Sequence, residues 1–347
     1  AGSGLGVAPT VTETNGSAAT TGVTGVLGVI DGIVTIDDNA TAASITSVSV
    51  NGYGDTSTIG ATNNVTKLAS LSLANSGGAT AGATAGSMTV NVGATAASLD
   101  LTLNAVKGAV TLTGAGLKTL NLTATGADSS TALSAAAAET LAISGDKKAT
   151  LSSGTFTALK TLSVSGSASA VFDGDEADTL TSVNTSGTTG AVTATIDGGK
   201  ATYTGGAGAD TVTLDTTTAL TKAINLGAGD DTLSFGALLV TGSTAAVSGG
   251  DGIDTLKMST AEADALDATA QTFYTGFEHL TINDAAATST IDLANLGLTN
   301  YVTTTGTTGT LTLNNMASDG TLVITTAPTT GYTCLLYTSD AADDTPC

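Results

Sequence analysis

The sequence contains no Arg and no Trp, and only 3% of its 347 residues are aromatic. All nine basic residues are Lys, against 30 acidic residues, so the formal net charge is -21. Nucleic acids and anionic lipids are bound through basic side chains and repel a chain of this charge, so we predict neither as a direct partner. No apolar run approaches the roughly 18 residues that a membrane-spanning helix needs.

Cysteine is confined to the end of the chain, at Cys334 and Cys347. Residues 334–347 break from the Ser, Thr and Gly-rich composition before them and resemble a frame-shifted translation of a sequencing adaptor. We interpret them as a tail foreign to the protein and expect the natural C-terminus to be missing. Without this tail the chain has no Cys, so no disulfide framework is predicted.

A short pattern recurs along the chain: an apolar residue, two polar or small residues, then apolar, polar and apolar positions, as in 117–122 and 159–164. The central apolar residues most often follow one another at steps of 21, and a second apolar series runs half a period away. Alternation at period two around both series is typical of half-buried strands. We predict an all-β protein: a β-solenoid with two short strands per coil of about 21 residues, in which stacked coils share one core.

The regularity of this pattern divides the chain into four predicted segments. They are an irregular N-terminal β segment (1–40), a first solenoid part (41–190), a second solenoid part (191–333) and the foreign tail (334–347).

Two insertions into the solenoid are also predicted. Ser259 and Glu262 have capping-box spacing before an Ala-rich run that reaches Ala270, which indicates a short helix. Residues 129–139 are a candidate for a similar insertion.

The most specific motif lies in 205–257, where Gly-Gly-x-Gly-x-Asp-x-apolar occurs three times. The copies begin at Gly205, Leu226 and Gly249, so the second lacks the first glycine. Glycine adopts left-handed backbone angles at low cost, which lets such turns direct carbonyl oxygens inward. The Asp adds an anionic oxygen, and calcium prefers about six to eight oxygen ligands. One turn offers too few, so we predict Ca2+ between stacked turns, along one edge of the solenoid.

The predicted metal-site residues are the Asp and Gly positions of these turns and two neighbouring acids: Asp210, Asp231, Asp254, Gly206, Gly208, Gly227, Gly229, Gly250, Gly252, Asp230 and Asp251. A degenerate fourth copy has the acids but lacks the second glycine, and it gives the weaker candidates Asp173, Asp175 and Asp178. The alternative is a set of plain glycine turns generated by a biased composition.

No catalytic constellation is evident, so we predict that the chain is not an enzyme. His279 is the only His and occupies a polar position of a predicted strand, which leaves no Ser-His-Asp triad and no HExxH zinc site. Asp264 and Asp267 could form a glycosidase pair. They fall on the predicted helix, and aromatic platforms for sugars are scarce.

The three turns resemble the repeats of RTX calcium-binding proteins, although RTX turns usually recur about every nine residues and these recur at 21 and 23. The whole chain, rich in Ala, Thr, Gly and Ser, resembles the calcium-dependent surface-layer proteins of Gram-negative bacteria. That resemblance implies secretion, folding driven by Ca2+ outside the cell, and a self-assembled lattice at the cell surface. It also implies homo-oligomeric partners and contact with cell-surface polysaccharide through calcium.

Two alternatives share these features. One is an extracellular filament subunit or RTX adhesin, in which the same solenoid stacks linearly or binds a foreign ligand. The other is a fragment of a secreted RTX hydrolase whose catalytic domain lies outside these residues.

Overall fold

Within the residues that the computed structural model describes, the chain is a nearly all-β solenoid of parallel strands, which confirms the predicted fold class. Two compact units are present: unit 1 comprises 1–180 and 187–189, and unit 2 comprises 181–186 and 190–347. The described residues are 33–38, 45–62, 64–76, 85–173, 177–215, 219–235, 243–269, 272–284, 288–297, 301–305, 310–317 and 319–326, with the backbone of 23–24 and 333–337.

The strands form where branched or long apolar residues alternate with Thr, Ser and Asn, because alternate side chains of a strand point to opposite faces. Leu120, Leu141 and Leu162 lie opposite one another in register on three successive strands and are fully buried. Their spacing of 21 residues is therefore the length of one coil in this part of the chain. Stacking places the same apolar position of every coil into one continuous core.

Unit 1 contains three parallel sheets, and most of its coils contribute one strand to the first sheet and one to the second or third. The first sheet is β1 (Val23–Thr24), β3 (Ser47–Asn51), β5 (Ser70–Ala74), β7 (Ser98–Asn104), β9 (Thr119–Ala124), β12 (Thr140–Gly145) and β14 (Thr161–Gly166). The second is β2 (Thr35–Ile36), β4 (Ser57–Ile59), β6 (Met88–Asn91), β8 (Val110–Thr113) and β11 (Leu133–Ser134). The third is β10 (Ser129–Thr131), β13 (Ala149–Leu151) and β15 (Ala170–Asp173).

Unit 2 repeats the two-strand coil, with two helical segments between coils. One sheet is β16 (Ser182–Thr188), β18 (Thr202–Thr204), β20 (Ile224–Ala228), β22 (Val247–Asp251) and β24 (Tyr274–Thr275). The next is β17 (Val192–Ile196), β19 (Thr211–Leu214), β21 (Thr232–Phe235), β23 (Thr255–Met258), β25 (His279–Ile282), β27 (Tyr301–Thr304) and β29 (Thr321–Ile324). The last is β26 (Ser289–Asp292), β28 (Thr310–Asn314) and β30 (Thr333–Tyr337), and the helical segments are α1 (Thr260–Asp264) and a 3-10 helix (Leu293–Leu296).

The predicted helix at Ser259 is confirmed, although it is shorter than expected. The Ser259 hydroxyl accepts a hydrogen bond from the Glu262 backbone N–H, and the Glu262 carboxylate accepts one from the Ser259 N–H. This capping box begins α1, which ends at Asp264, and Ala270 lies outside the described residues. Among the described residues no helix is long and apolar enough to cross a bilayer.

The predicted insertion at 129–139 is wrong, because that segment supplies β10 and β11. Its Ala-rich stretch suggested a helix, but hydroxyls beside it bond to the preceding coil. Ser129 Oγ accepts from the Val106 N–H at 3.1 Å, and Thr131 Oγ1 donates to the Gly108 carbonyl at 2.6 Å. These contacts hold the segment in the solenoid.

The structure tests the predicted segments at the two ends of the chain only in part. Thr333–Tyr337, which include the first residues of the predicted foreign tail, pair with β28 as β30. Residues 338–347 and most of the predicted N-terminal segment lie outside the described residues. The foreign origin of the tail stays a prediction.

Candidate functional site

The three motif aspartates occupy one position in three successive coils of unit 2. Asp210, Asp231 and Asp254 directly precede β19, β21 and β23, whose first residues pair in register. Each aspartate is at most 1% exposed. The structure therefore brings these predicted site residues together, stacked along one edge and turned into the unit rather than toward solvent.

Backbone amides and carboxylates join these residues into a continuous series. The Val192 N–H donates to Asp210 Oδ1 at 2.8 Å, and the Asp210 N–H donates to Asp231 Oδ1 at 2.6 Å. The Asp231 N–H donates to Asp254 Oδ1 at 2.8 Å, and the Asp254 N–H to Glu278 Oε2 at 2.8 Å. We call Asp210, Asp231, Asp254 and Glu278 the carboxylate ladder. Each carboxylate satisfies a strand-entry amide of the preceding coil, which would otherwise lack an acceptor.

Glu278 is a member of the ladder that sequence reasoning missed. It is exposed and lacks the first two glycines of the motif. Gly276 nevertheless stands two residues before it, as the last motif glycine stands before each aspartate, and Glu278 directly precedes β25 as the aspartates precede their strands. Its spacing of 24 residues from Asp254 and its position before a strand were the available signals.

The second carboxylate oxygen has different surroundings in different coils. Asp210 Oδ2 accepts a hydrogen bond from the buried Tyr203 hydroxyl at 2.9 Å, with longer contacts of 3.5 Å from Thr185 Oγ1 and the Gly206 N–H. Asp231 Oδ2 and Asp254 Oδ2 are buried and have no hydrogen-bond partner. A buried acceptor without a partner loses its hydration and gains nothing in return, so these two oxygens call for a ligand or a proton.

Burial raises the pKa of all three aspartates, because surroundings of low polarity disfavour a charged carboxyl group. Burial is also the main reason that the pKa of Asp231 rises to about 7. The Asp210 N–H lowers this pKa, and the negative charges of Asp210, Asp254 and Asp230 raise it further. The ion pairs found among the described residues all lie away from the ladder, so no Lys neutralises it there.

The glycines of the turns are required by the close stacking of the coils. A Cβ atom on Gly250 would lie 1.9 Å from the Gly227 carbonyl oxygen, and one on Gly227 would lie 2.3 Å from the Gly206 carbonyl oxygen. The Gly206 carbonyl accepts from the Ala228 N–H at 2.8 Å, so it takes part in coil-to-coil pairing. Left-handed angles occur in the second and third turns, at Gly227, Gly229, Gly250 and Gly252, but not at Gly208 of the first.

Asp230 and Asp251 lie on the exposed side of the second and third turns. Asp230 Oδ1 accepts a hydrogen bond from the Ile253 N–H at 3.0 Å, so this acid also links neighbouring coils. The weaker candidates differ from these acids: Asp173 ends β15 and Asp178 is exposed in a turn of unit 1. Asp175 lies outside the described residues.

Other residues considered for chemistry have structural contacts. The His279 ring packs against the Tyr301 ring, with centroids 4.3 Å apart. Asp264 Oδ1 accepts from the Thr290 N–H at 3.3 Å, and Asp267 Oδ1 accepts from the Thr269 N–H at 2.9 Å. The carboxylates of this candidate pair thus each accept a hydrogen bond from a backbone amide.

A cation fits the ladder through individual oxygens rather than through a preformed side-chain cluster. Nowhere in the described part of the chain do three or more His, Cys, Asp or Glu side chains form a metal-binding group. The unpartnered oxygens of Asp231 and Asp254 are nevertheless the hard, anionic donors that calcium prefers. Two such oxygens are fewer than the about six to eight that calcium prefers, so a bound ion would need further oxygens from the turns or from water.

No protein-family model matches the chain, and no curated protein matches it either. The resemblance to RTX and surface-layer proteins therefore rests on the motif residues and the composition alone.

Proposed function

We propose that this protein is a structural, self-assembling extracellular protein of the bacterial surface-layer type, folded and assembled with calcium bound at the carboxylate ladder. The observation that carries the proposal is the pair of buried, unpartnered oxygens on Asp231 and Asp254. Bound calcium would supply the positive charge that the surrounding protein lacks. No enzymatic activity is part of the proposal.

The distribution of charge supports the same role for a cation. Without the predicted foreign tail, residues 181–333 contain 14 acidic residues and three Lys, whereas residues 1–180 contain 13 and six. Repulsion among like charges opposes compaction, and it is stronger in unit 2, where the ladder also confines carboxylates in the interior. Negative charges of neighbouring acids act on the ladder: Asp230 and Asp254 raise the pKa of Asp231, and Glu278, Asp230 and Asp251 raise that of Asp254.

Calcium concentration provides a reason for folding outside the cell. For a site with a dissociation constant of ~0.1 mM in ~1 mM calcium, binding to the folded form contributes roughly 1.4 kcal/mol. Inside a cell, where free calcium is far scarcer, this contribution vanishes. Parallel solenoids also end in strands with free backbone groups, which favour association between copies.

Calcium titration of the full chain tests the proposal. We expect circular dichroism to show a gain of β-structure, sedimentation to show assembly and electron microscopy to show ordered sheets, with magnesium at equal concentration as the control. Filaments instead of sheets would favour the filament-subunit alternative. No change in folding or assembly with calcium would contradict the proposal.

A further inference from the structure

One face of unit 2 carries the features of a contact between two copies of this chain. It combines the outward side chains of β23, β25 and β27 with the last exposed residue of the turn that enters β23. We call it the outer face, and its principal residues are Ile253, Thr255, Lys257, His279, Thr281 and Tyr301. We propose that two copies pair through their outer faces about a two-fold axis. This inference rests on the self-assembly in the proposed function and specifies which surfaces meet.

The outer face bears two aromatic rings that the coil itself does not require. His279 and Tyr301 are the first residues of β25 and β27 and pair in register, with ring centroids 4.3 Å apart. Both residues are only half-buried. The same register position is occupied by Thr232 in β21 and by Thr255 in β23. Because threonine fits this position in neighbouring coils, the rings are free to contact another surface, and aromatic residues are enriched where proteins meet.

Ile253 adds an exposed apolar side chain to this face. It is 51% exposed, the largest fraction found for a large apolar residue in the described part of the chain. The residue directly before the ladder aspartate is Ala209 in the first turn and Asp230 in the second. The turn therefore accepts a small or a charged residue at this position, and the isoleucine is free to pack against a partner.

Alternation along the chain places Ile253 and Lys257 on the same face. Asp254 and Leu256 are buried. The residues that alternate with them, at positions 253, 255 and 257, therefore point outward. Four residues of extended chain span at most about 14 Å, so a single contact patch can hold both the isoleucine and the lysine.

Charge divides the outer face into two sides. Lys257 lies on one side, and it takes part in none of the ion pairs formed by the described residues. The exposed Asp251 and Asp230 lie on the other side, where the Asp230 carboxylate accepts the Ile253 N–H at 3.0 Å. The outward side chains of β23, β25 and β27 include no acid. The face therefore has an acidic side with an exposed apolar residue and a basic side.

These two sides complement each other when a second copy is turned by 180°. Lys257 of one copy then meets Asp251 of the other, and the same ion pair forms a second time, as a two-fold contact requires. The rings of His279 and Tyr301 and the Ile253 side chain lie beside these ion pairs and lose water when the faces meet. The opposite charges fix the orientation, and the apolar groups supply most of the affinity.

Sedimentation velocity of the full chain, over a range of protein concentrations in constant calcium, tests this pairing. Tyr301→Thr and Ile253→Ser remove apolar contacts, and Lys257→Glu places an acid opposite an acid. We expect each variant to raise the dissociation constant of the pair on the order of tenfold or more. Lys222→Glu makes the same change of charge at an exposed position before β20, outside the outer face, and should associate like the wild type. Circular dichroism checks that each variant is folded.

An exchange of charges separates direct pairing from an indirect effect. Asp251→Lys should fail to pair with itself, because lysine then meets lysine. An equimolar mixture of Asp251→Lys and Lys257→Glu should form a mixed pair, in which one ion pair is retained and the other is reversed. Asp251 is also a predicted metal-site residue, so Ile253→Ser and Lys257→Glu carry the test if Asp251→Lys does not fold.

The possible failures of this pairing and of the proposed function are distinct. Unchanged dissociation constants in the outer-face variants, or no mixed pair between folded variants, would overturn this inference and leave assembly with calcium intact. A wild type that associates at no protein concentration in calcium would overturn the self-assembly of the proposed function as well.

Discussion

The buried side chains that accept an amide of the preceding coil differ in chemistry between the two units. In unit 1, Ser57 Oγ accepts the Val34 N–H at 3.0 Å and Ser129 Oγ accepts the Val106 N–H at 3.1 Å, one coil earlier in each case. In unit 2 an Asp carboxylate does the same, as Asp231 does for Asp210 at 2.6 Å. All of these acceptors are buried.

The two kinds of acceptor differ in the hydrogen-bonding capacity that remains after they have bound the amide. The Ser57 hydroxyl is neutral and donates to the Gly54 carbonyl at 2.8 Å, so it needs nothing more from outside the protein. A carboxylate is charged and has no hydrogen to donate, which leaves an oxygen open on Asp231 and on Asp254. The Ser acceptors of unit 1 are therefore satisfied within the protein, whereas the ladder of unit 2 leaves two buried carboxylate oxygens that need a proton or a cation.

The largest expected contrast is in pH dependence without calcium. An unfolded Asp231 loses its proton near the ordinary pKa of 3.8, whereas the folded one keeps it up to about pH 7. Between these values the unfolded state binds fewer protons, so the stability of unit 2 falls as the pH rises through this window.

Hydrogen exchange in EDTA, corrected for the intrinsic effect of pH on exchange, measures both units in one chain. Unit 2 should exchange faster as the pH rises from ~4 to ~7, with unit 1 as the internal control. Equal pH dependence in the two units would contradict this prediction.

Glycine replacement in a ladder turn is the next largest effect. Gly250→Ala places a Cβ 1.9 Å from the Gly227 carbonyl oxygen at a φ of 116°, so both sterics and backbone strain oppose the native turn. We expect a loss of about 3 kcal/mol or more, measured by urea unfolding. Gly187→Ala is the matched control: Gly187 lies in the part of β16 that falls in unit 1, its nearest contact would be the Ser165 Cβ at 3.3 Å, and its φ lies outside the left-handed region. Similar losses in both variants would refute the requirement for glycine at 250.

Removing a hydroxyl acceptor from unit 1 has a smaller effect. Ser57→Ala leaves the Val34 N–H and the Gly54 carbonyl without the partner that joined them. We expect a loss of about 1–3 kcal/mol in the unfolding free energy. The same loss should be found with and without calcium, since no charge is involved. A loss that calcium restores would contradict the division between the units.

The smallest expected effect is at the surface of unit 1. Glu139 pairs with Lys118 at 3.0 Å and with Lys160 at 2.7 Å, which links three coils through exposed side chains. Glu139→Gln should lower the melting temperature only slightly, because water and salt screen exposed pairs. In thermal scans, the melting temperatures of the variant and the wild type should converge as the salt concentration rises. A difference that persists at high salt would contradict this explanation and indicate that Glu139 has another role.

The fold was predictable because the residues that determine it lie close together in the sequence and recur in successive coils. Leu120, Leu141 and Leu162 reveal both the coil length and the inward face, and Ser259 with Glu262 marks the start of α1. The segment 129–139 was misjudged because an Ala-rich composition says nothing about hydrogen bonds to another coil. Those bonds, from Ser129 and Thr131, become visible only when the coils are stacked.

The site was predictable in its residues but not in its contacts. The motif identified Asp210, Asp231 and Asp254, yet it did not indicate that each accepts an amide from the preceding coil. Tyr203 and Glu278 escaped notice because they act from outside the motif, across register positions that spacing within one turn cannot reveal. Side-chain direction and long-range pairing decide which carboxylate oxygens of the ladder find a partner.

Hydrogen exchange of the full chain at constant pH, with calcium and with EDTA, tests most directly whether the two units differ in their need for a cation. The amides of Asp210, Asp231 and Asp254 donate to the ladder, so calcium should slow their exchange strongly, while those of Val34 and Val106 stay unchanged. Equal protection of both sets by calcium, or protection of neither, would contradict the account.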